Sequence, residues 1–311
     1  MIPKRYGIRR AFVFVAGFGI ACSDSAGPGA DHFELAFARA DRTTFASDVY
    51  VSRADGSNAT RLTATGDAGT PRWSPDGRKI VFASSTSYSG NLVSNAIESM
   101  NADGSGRQSL AAGTDPAWSP DGSQIGFTGY DEVVFPYGGG KATKIYQVFT
   151  MKADGSNQTR LAPDSAYNLM GSWSPDGNSI VFTRFAPGIV NDQIFVMAAD
   201  GALASRVQLT ANGMRNDAPV WSHSGAKIAF VAWQDPYFSI YTMSADGSGQ
   251  TRLTSSTADD MCPAWSPDDS RIAFTSNRDG FFQIYLMNAD GSGQVRIKSN
   301  FSDTCPSWKS P

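Results

Sequence analysis

Histidine and cysteine are both scarce in this sequence, which has two histidines and three cysteines in 311 residues. A Ser-His-Asp triad needs a histidine base fixed in a cleft. His32 instead falls in a predicted tether, and His223 falls in the turn motif "WSHSG". The cysteines and histidines are also not spaced as in zinc sites of the Cys/His type. The composition therefore argues against a triad hydrolase, and we predict no catalytic residue, no metal ligand and no cofactor.

Positive charge is concentrated at the N-terminus. The net charge is −3, but residues 1–21 carry four basic residues and no acid, so the remainder has a net charge of −7. Nucleic-acid binding rests on cationic contacts with phosphate, so nucleic acid is not an expected partner. The apolar run 11–21 would span about 16 Å as a helix, roughly half of a ~30 Å hydrocarbon core. This apolar run is therefore too short to predict a membrane-spanning helix.

The N-terminus instead predicts export. Basic residues followed by a short apolar run predict a signal peptide over residues 1–21. Its end, "GIAC", resembles a bacterial lipoprotein signal in which Cys22 would be the lipid attachment site; ordinary cleavage near Ala21, leaving a free thiol, is the alternative. Residues 22–32 are small and polar and predict a flexible tether. The expected location is the periplasmic side of the bacterial cell envelope, with only a lipid anchor in the outer membrane.

Sustained helical periodicity is absent, and one motif is written six times instead. The repeats are marked by tryptophans 43 to 55 residues apart: Trp73, Trp118, Trp173, Trp221, Trp265 and Trp308. Most of them open a turn motif such as "WSPDG", and an Ala-Asp-Gly motif interleaves. Runs such as "KIVFAS" (79–84) and "QIYLM" (283–287) are β-branched and aromatic, which predicts strands. Each repeat thus predicts four antiparallel strands: A lies around Trp, B follows the Pro-Asp-Gly turn, C precedes Ala-Asp-Gly, and D ends in Arg-Leu-Thr or its equivalent.

Four-stranded units of about 45 residues are typical of a β-propeller. We therefore predict an all-β, six-bladed propeller over residues 33–311, following the signal peptide and the tether. The first repeat lacks a Trp strand, and the last repeat contains only a Trp strand. The C-terminal strand is therefore expected to complete the first blade and close the ring.

These motifs resemble a known family. W-S-P-D-G, an I-x-F strand, I-Y-x-M-x-A-D-G and R-L-T together resemble the Pro-Asp variant of WD-like repeats found in the TolB propeller family. The resemblance covers every repeat and implies the propeller fold. In that family an α/β domain precedes the propeller, whereas here only the tether is expected before the first blade.

Antiparallel pairing places the B–C and D–A connections on one face of the ring, which we call the loop face, and both turn families on the other, the turn face. The loop face is where the repeats differ most, and its connections are rich in aromatic residues and arginine, which dominate binding hot spots. The candidate binding residues are Tyr88, Tyr130, Phe135, Tyr137, Arg184, Phe185, Trp233, Tyr237, Phe238, Arg278, Phe281 and Phe282.

Most aspartates lie in the repeated turns. A few instead precede the Trp strands, and their place in the fold is expected to differ from that of the turn aspartates. Asp115, Asp217, Asp260 and Asp303 are expected at the mouth of the central channel. Some propeller hydrolases hold Ca²⁺ in the channel through such oxygens. A Ca²⁺-dependent hydrolase or lyase acting on a carbohydrate or ester in the channel is therefore the alternative function.

Cys262 and Cys305 lie three residues before Trp in neighbouring repeats. An exported protein can oxidise such a pair, but a disulfide needs Cα atoms roughly 4.4–6.8 Å apart, so the sequence leaves a disulfide and free thiols both open. The first functional hypothesis is a non-catalytic, monomeric envelope lipoprotein that binds a protein or a cell-surface polymer through its loop face.

Overall fold

Six sheets of four antiparallel strands are arranged in a ring in the computed structural model. It describes residues 34–88, 92–134, 142–161, 164, 166–186, 189 and 191–310. The predicted signal peptide, Cys22 and the tether lie outside the described residues. The one 3₁₀ turn of the described chain is Leu203–Ser205.

The blades are numbered in chain order, and each is given from its inner to its outer strand. Blade 1 consists of β24 (Ser302–Trp308), β1 (Glu34–Ala40), β2 (Ser47–Arg53) and β3 (Thr60–Arg61). Blade 2 consists of β4 (Ala68–Trp73), β5 (Lys79–Tyr88), β6 (Leu92–Asn101) and β7 (Gln108–Ala112). Blade 3 consists of β8 (Thr114–Trp118), β9 (Gln124–Val134), β10 (Ala142–Lys152) and β11 (Thr159–Arg160).

The other three blades follow the same order. Blade 4 consists of β12 (Tyr167–Trp173), β13 (Ser179–Phe185), β14 (Gln193–Ala198) and β15 (Val207–Gln208). Blade 5 consists of β16 (Arg215–Trp221), β17 (Lys227–Gln234), β18 (Tyr237–Ser244) and β19 (Thr251–Arg252). Blade 6 consists of β20 (Asp260–Trp265), β21 (Arg271–Ser276), β22 (Gln283–Asn288) and β23 (Val295–Arg296). The predicted all-β propeller with four-stranded blades is confirmed.

The hydrophobic core lies between the blades. The second strand of every blade contributes a buried phenylalanine at the same repeat position: Phe37, Phe82, Phe127, Phe182, Phe230 and Phe274. Six buried clusters each join two neighbouring blades. Apolar surface is therefore removed from water around the whole ring, which is the main stabilising contribution to such a fold.

The Ser-Pro-Asp-Gly turns are held by a short network that the sequence specifies. In blade 2 the Ser74 hydroxyl donates to Asp76 (2.6 Å) and accepts from the Lys79 amide (2.9 Å), while Gly77 takes a positive φ of 64°. The Ser74 bond lowers the pKa of the Asp76 carboxyl. Asp121, Asp176 and Asp268 make the same serine contact in their own blades. These carboxylates are structural turn residues, as the repeat predicted.

Strand β24 closes the ring. It pairs with β1 in antiparallel register, with Trp308 opposite Leu35, and the Lys309 amide donates to the Glu34 carbonyl (2.9 Å). The inner strands contact each other in sequence from β4 to β24 and back to β4. The described chain therefore both begins and ends at the turn face.

Candidate recognition face and central cavity

Several connections predicted as loops on the loop face are β-hairpins. Strands β5 and β6 pair as far as Tyr88 and Leu92, and β9 and β10 pair as far as Val134 and Ala142. Strands β17 and β18 are joined by only Asp235 and Pro236. The loop assignment was therefore wrong for Tyr88, Tyr130, Trp233, Tyr237 and Phe238, which lie in strands. The alternating β-branched and aromatic residues of these segments suit continued cross-strand pairing.

The two arginines predicted to bind a partner are engaged within the fold. Arg184 donates to Asp164 (2.9 Å) and to Asn168 (2.8 Å). Arg278 forms an ion pair with the buried carboxylate of Asp260 (3.0 Å). Both therefore stabilise the rim of the blades rather than present a free cation. Phe185, next to Arg184, is the last residue of β13 and is partly buried.

Large exposed apolar side chains on the loop face belong to fewer residues than the sequence suggested. Trp233 is 40% exposed, Phe45 is 50% exposed and Phe301 is 46% exposed. Tyr237, Phe281 and Phe282 are partly buried, and Phe238 packs against the cluster between blades 5 and 6. Phe135 and Tyr137 lie outside the described residues.

The sequence pattern did not indicate Phe45 and Phe301, because neither lies in one of the long B–C connections. Phe45 lies in the short connection between β1 and β2, and Phe301 lies between β23 and β24. Arg42 stacks over Phe281 (4.2 Å to the ring centroid), and Arg39 stacks over Phe301 (4.8 Å). The Arg42–Phe281 contact joins blade 1 to blade 6.

The inner strands enclose a cavity of about 470 Å³ that extends to the turn-face end of the central channel. Each inner strand of blades 1, 2, 3, 5 and 6 contains a residue of positive φ three positions before its Trp: Cys305, Thr70, Asp115, Ala218 and Cys262. Cys262 and Cys305 form a disulfide across two neighbouring inner strands, with their Cα atoms 5.0 Å apart. The possible disulfide of the sequence is therefore present.

Three of the four acids predicted at the channel mouth do not line this cavity. Asp260 is paired with Arg278, and Asp303 receives two hydrogen bonds from Arg39 (2.7 and 2.9 Å); both carboxylates are buried. Asp217 accepts bonds from Thr183 (2.9 Å) and from the Ala218 amide (2.8 Å), and burial raises the pKa of its carboxyl. Only Asp115 of these four lines the cavity, because the other side chains enter the networks between strands.

His223 lies at the rim of the cavity, where four other blades have proline. The carboxylate of Asp269, from the next blade, accepts from the His223 and Ser224 amides (2.7 Å each) and approaches His223 Nδ1 (3.4 Å). Three departures from the repeat are thus in direct contact: Asp269 replaces a turn glycine, Ser224 replaces a turn aspartate, and His223 replaces a turn proline. His223 is an exposed turn residue, as the sequence suggested.

The described chain contains no group of three or more His, Cys, Asp or Glu side chains arranged to hold a metal ion. Within the same residues, no helix has the length and apolar character needed to cross a bilayer.

Comparison with known proteins gives the family. The family model described as "PD40: TolB beta propeller domain" matches residues 133–310, more than half of the chain. The "Tol-Pal system protein TolB" of Anaeromyxobacter dehalogenans (strain 2CP-C) is 32% identical over 113 residues, which are 36% of this chain and 25% of that protein. The corresponding protein of Anaeromyxobacter sp. (strain K) is 31% identical over the same length. The match thus spans about a quarter of these relatives.

Solved structures support the fold over a longer stretch. TolB from Acinetobacter baumannii superposes with a TM-score of 0.74 and 20% identity, covering 91% of this chain and 68% of that one. An oligogalacturonate lyase in complex with manganese superposes with a TM-score of 0.53 and 13% identity, covering 85% and 73%. At these identities the likeness concerns the fold alone.

Proposed function

The chain belongs to the TolB β-propeller domain family, and from that premise we propose that it is a non-catalytic protein of the bacterial cell envelope that binds a protein partner through its loop face. The curated relatives are named as proteins of the Tol-Pal system, and a protein partner for this chain is proposed by analogy with that name. The proposal needs no metal and no cofactor.

One observation carries the assignment of the face. The described chain has five exposed large apolar side chains, and Phe45, Trp233 and Phe301 all lie on the loop face. The other two, Val207 and Val295, lie in the outer strands β15 and β23. Exposed aromatic residues are the usual anchors of protein interfaces, since they bury large area at low entropic cost.

The direction of the chain supports the same face. Glu34, where the described chain begins, lies at the turn-face end of β1, beside Lys309. A lipid on Cys22 would therefore tether the protein by its turn face and leave the loop face accessible. We propose that the protein is a monomeric propeller that is anchored by a lipid on Cys22. Partition into the detergent phase by the wild-type protein but not by Cys22→Ser is the expected result, and equal partition contradicts the anchor.

A matched pair of variants tests the face. The triple variant Phe45→Ala/Trp233→Ala/Phe301→Ala removes the exposed aromatics of the loop face, and Val207→Ala/Val295→Ala removes exposed apolar side chains elsewhere. In pull-downs from envelope extract, we expect the triple variant to lose a partner that the wild type and the double variant both recover. Equal recovery by all three forms contradicts the assignment.

A further inference from the structure

The central cavity carries one cation and one carboxylate in an otherwise neutral lining. Arg72 and Asp115 lie on the neighbouring inner strands β4 and β8. At the position of Arg72, directly before Trp, the other five blades have alanine, serine or valine. The remaining ionisable group of the described lining is His223, at the rim. The charges of this cavity therefore belong to one side of the ring and do not follow from the repeat.

Among the described residues, Arg72 forms no direct ion pair. Its guanidinium donates to the Pro71 carbonyl (3.0 Å), and no carboxylate of the described residues lies within ion-pair distance. Burial lowers the pKa of Arg72, and the charge of Asp115 opposes that shift only in part. Arg72 is partly buried, and a partly desolvated guanidinium without a direct ion pair is stabilised by an anionic group that pairs with it.

The neighbouring groups are also open to a ligand. Asp115 is exposed, and its described hydrogen bond comes from the adjacent Thr114 hydroxyl (2.8 Å). On the strand of Arg72, the buried Thr70 hydroxyl has no hydrogen-bond partner among the described residues. Buried polar groups are nearly always hydrogen-bonded, so an exception calls for an explanation. A ligand that sits between β4 and β8 would supply partners to these groups.

We propose that the cavity binds a small zwitterion, with an α-amino acid as the simplest example, whose carboxylate pairs with Arg72 and whose ammonium pairs with Asp115. A simple anion would be attracted by Arg72 but repelled by Asp115, and a simple cation would meet the reverse. A molecule that carries both charges matches both groups at once. Guanidinium also offers two parallel donors to a carboxylate.

The size and the remaining lining fit such a ligand. A volume of about 470 Å³ falls within the range of roughly 300–1,000 Å³ usual for small-molecule sites. Ala117, Val220 and Ala264 provide apolar walls together with the ring of tryptophans, which suits an apolar side chain. The site uses the cavity and not the loop face, so it stands independently of the proposed function.

Titration calorimetry on the purified full chain tests the proposal with three probes. L-leucine carries both charges, N-acetyl-L-leucine only the negative one and L-leucinamide only the positive one. We expect saturable binding of leucine and at least ten-fold weaker binding of both derivatives. An absence of saturable leucine binding overturns the proposal, and so does equally tight binding of either derivative, which would show a site for a single charge.

Variants then assign the two charges. Arg72→Gln and Asp115→Asn should each weaken leucine binding at least ten-fold, because each removes one of the two ion pairs. Arg78→Gln, on the exposed turn of the same blade, is the matched control and should bind like the wild type. Thermal unfolding of every variant checks that the fold is intact. Leucine binding that is unchanged in folded Arg72→Gln overturns the proposal.

Discussion

The disulfide between Cys262 and Cys305 allows a quantitative prediction. The double variant Cys262→Ser/Cys305→Ser removes a covalent link that closes a loop of 43 residues. The chain-entropy relation gives about 4 kcal/mol for a loop of this length. At roughly 2 °C per kcal/mol for a domain of this size, the melting temperature should fall by about 8 °C. The loss concerns the inner strand β24, whose pairing with β1 closes the ring.

Thermal unfolding with and without reductant measures this effect. The wild-type protein should melt lower in reductant, and the double variant should melt at that lower temperature in both conditions. Ala218→Ser, at the equivalent position of blade 5, introduces the same serine without removing a link and should melt like the wild type. A Cys22→Ser background keeps the third thiol out of the comparison. If reduction leaves the wild-type melting temperature unchanged, the reasoning from loop closure is refuted.

Two further substitutions test buried charges. Arg39→Met leaves the buried Asp303 carboxylate without its partner at the ring closure. Urea denaturation should therefore show a free energy of unfolding about 3–5 kcal/mol lower than that of the wild type. Arg78→Met, on an exposed turn, is the control and should change the free energy of unfolding little. Burial raises the pKa of Asp217 in the fold, so its contribution to stability is present at low pH and is lost as the pH rises through that pKa. Because an asparagine side chain at this position keeps the Oδ1 acceptor without the charge, Asp217→Asn should be more stable than the wild type at pH 7–8 and equal to it below about pH 4; a lower stability at neutral pH contradicts this.

The repeat made the fold predictable. Trp, the Ser-Pro-Asp-Gly turn and Ala-Asp-Gly recur at positions that allow only short antiparallel strands, and each local feature agrees with the others. The missing Trp strand of the first repeat even predicted that β24 would close the ring. Strand lengths at the loop face were not predicted in the same way, because the repeated turn motifs mark only the strand ends at the turn face.

The candidate site was less predictable, because it depends on side-chain direction. Asp260 and Asp303 lie at sequence positions that fit a channel mouth. The pleat of their strands instead points their side chains toward Arg278 and Arg39, with which they form ion pairs. Phe301 follows no repeat pattern, and only its exposure in the structure identifies it. The disulfide depended on a distance of 5.0 Å between Cα atoms, which is set by the backbone at residues of positive φ that no sequence pattern reveals.

Site-specific photo-crosslinking tests the central claim, recognition of a protein through the loop face, most directly. A photoreactive phenylalanine analogue placed at Phe301 or at Trp233 in cells should form an adduct with one and the same protein. The analogue placed at Val295 or at Val207, on the outer strands, should not. Adducts with that protein from the outer-strand positions alone, or equally from all four, would contradict the account.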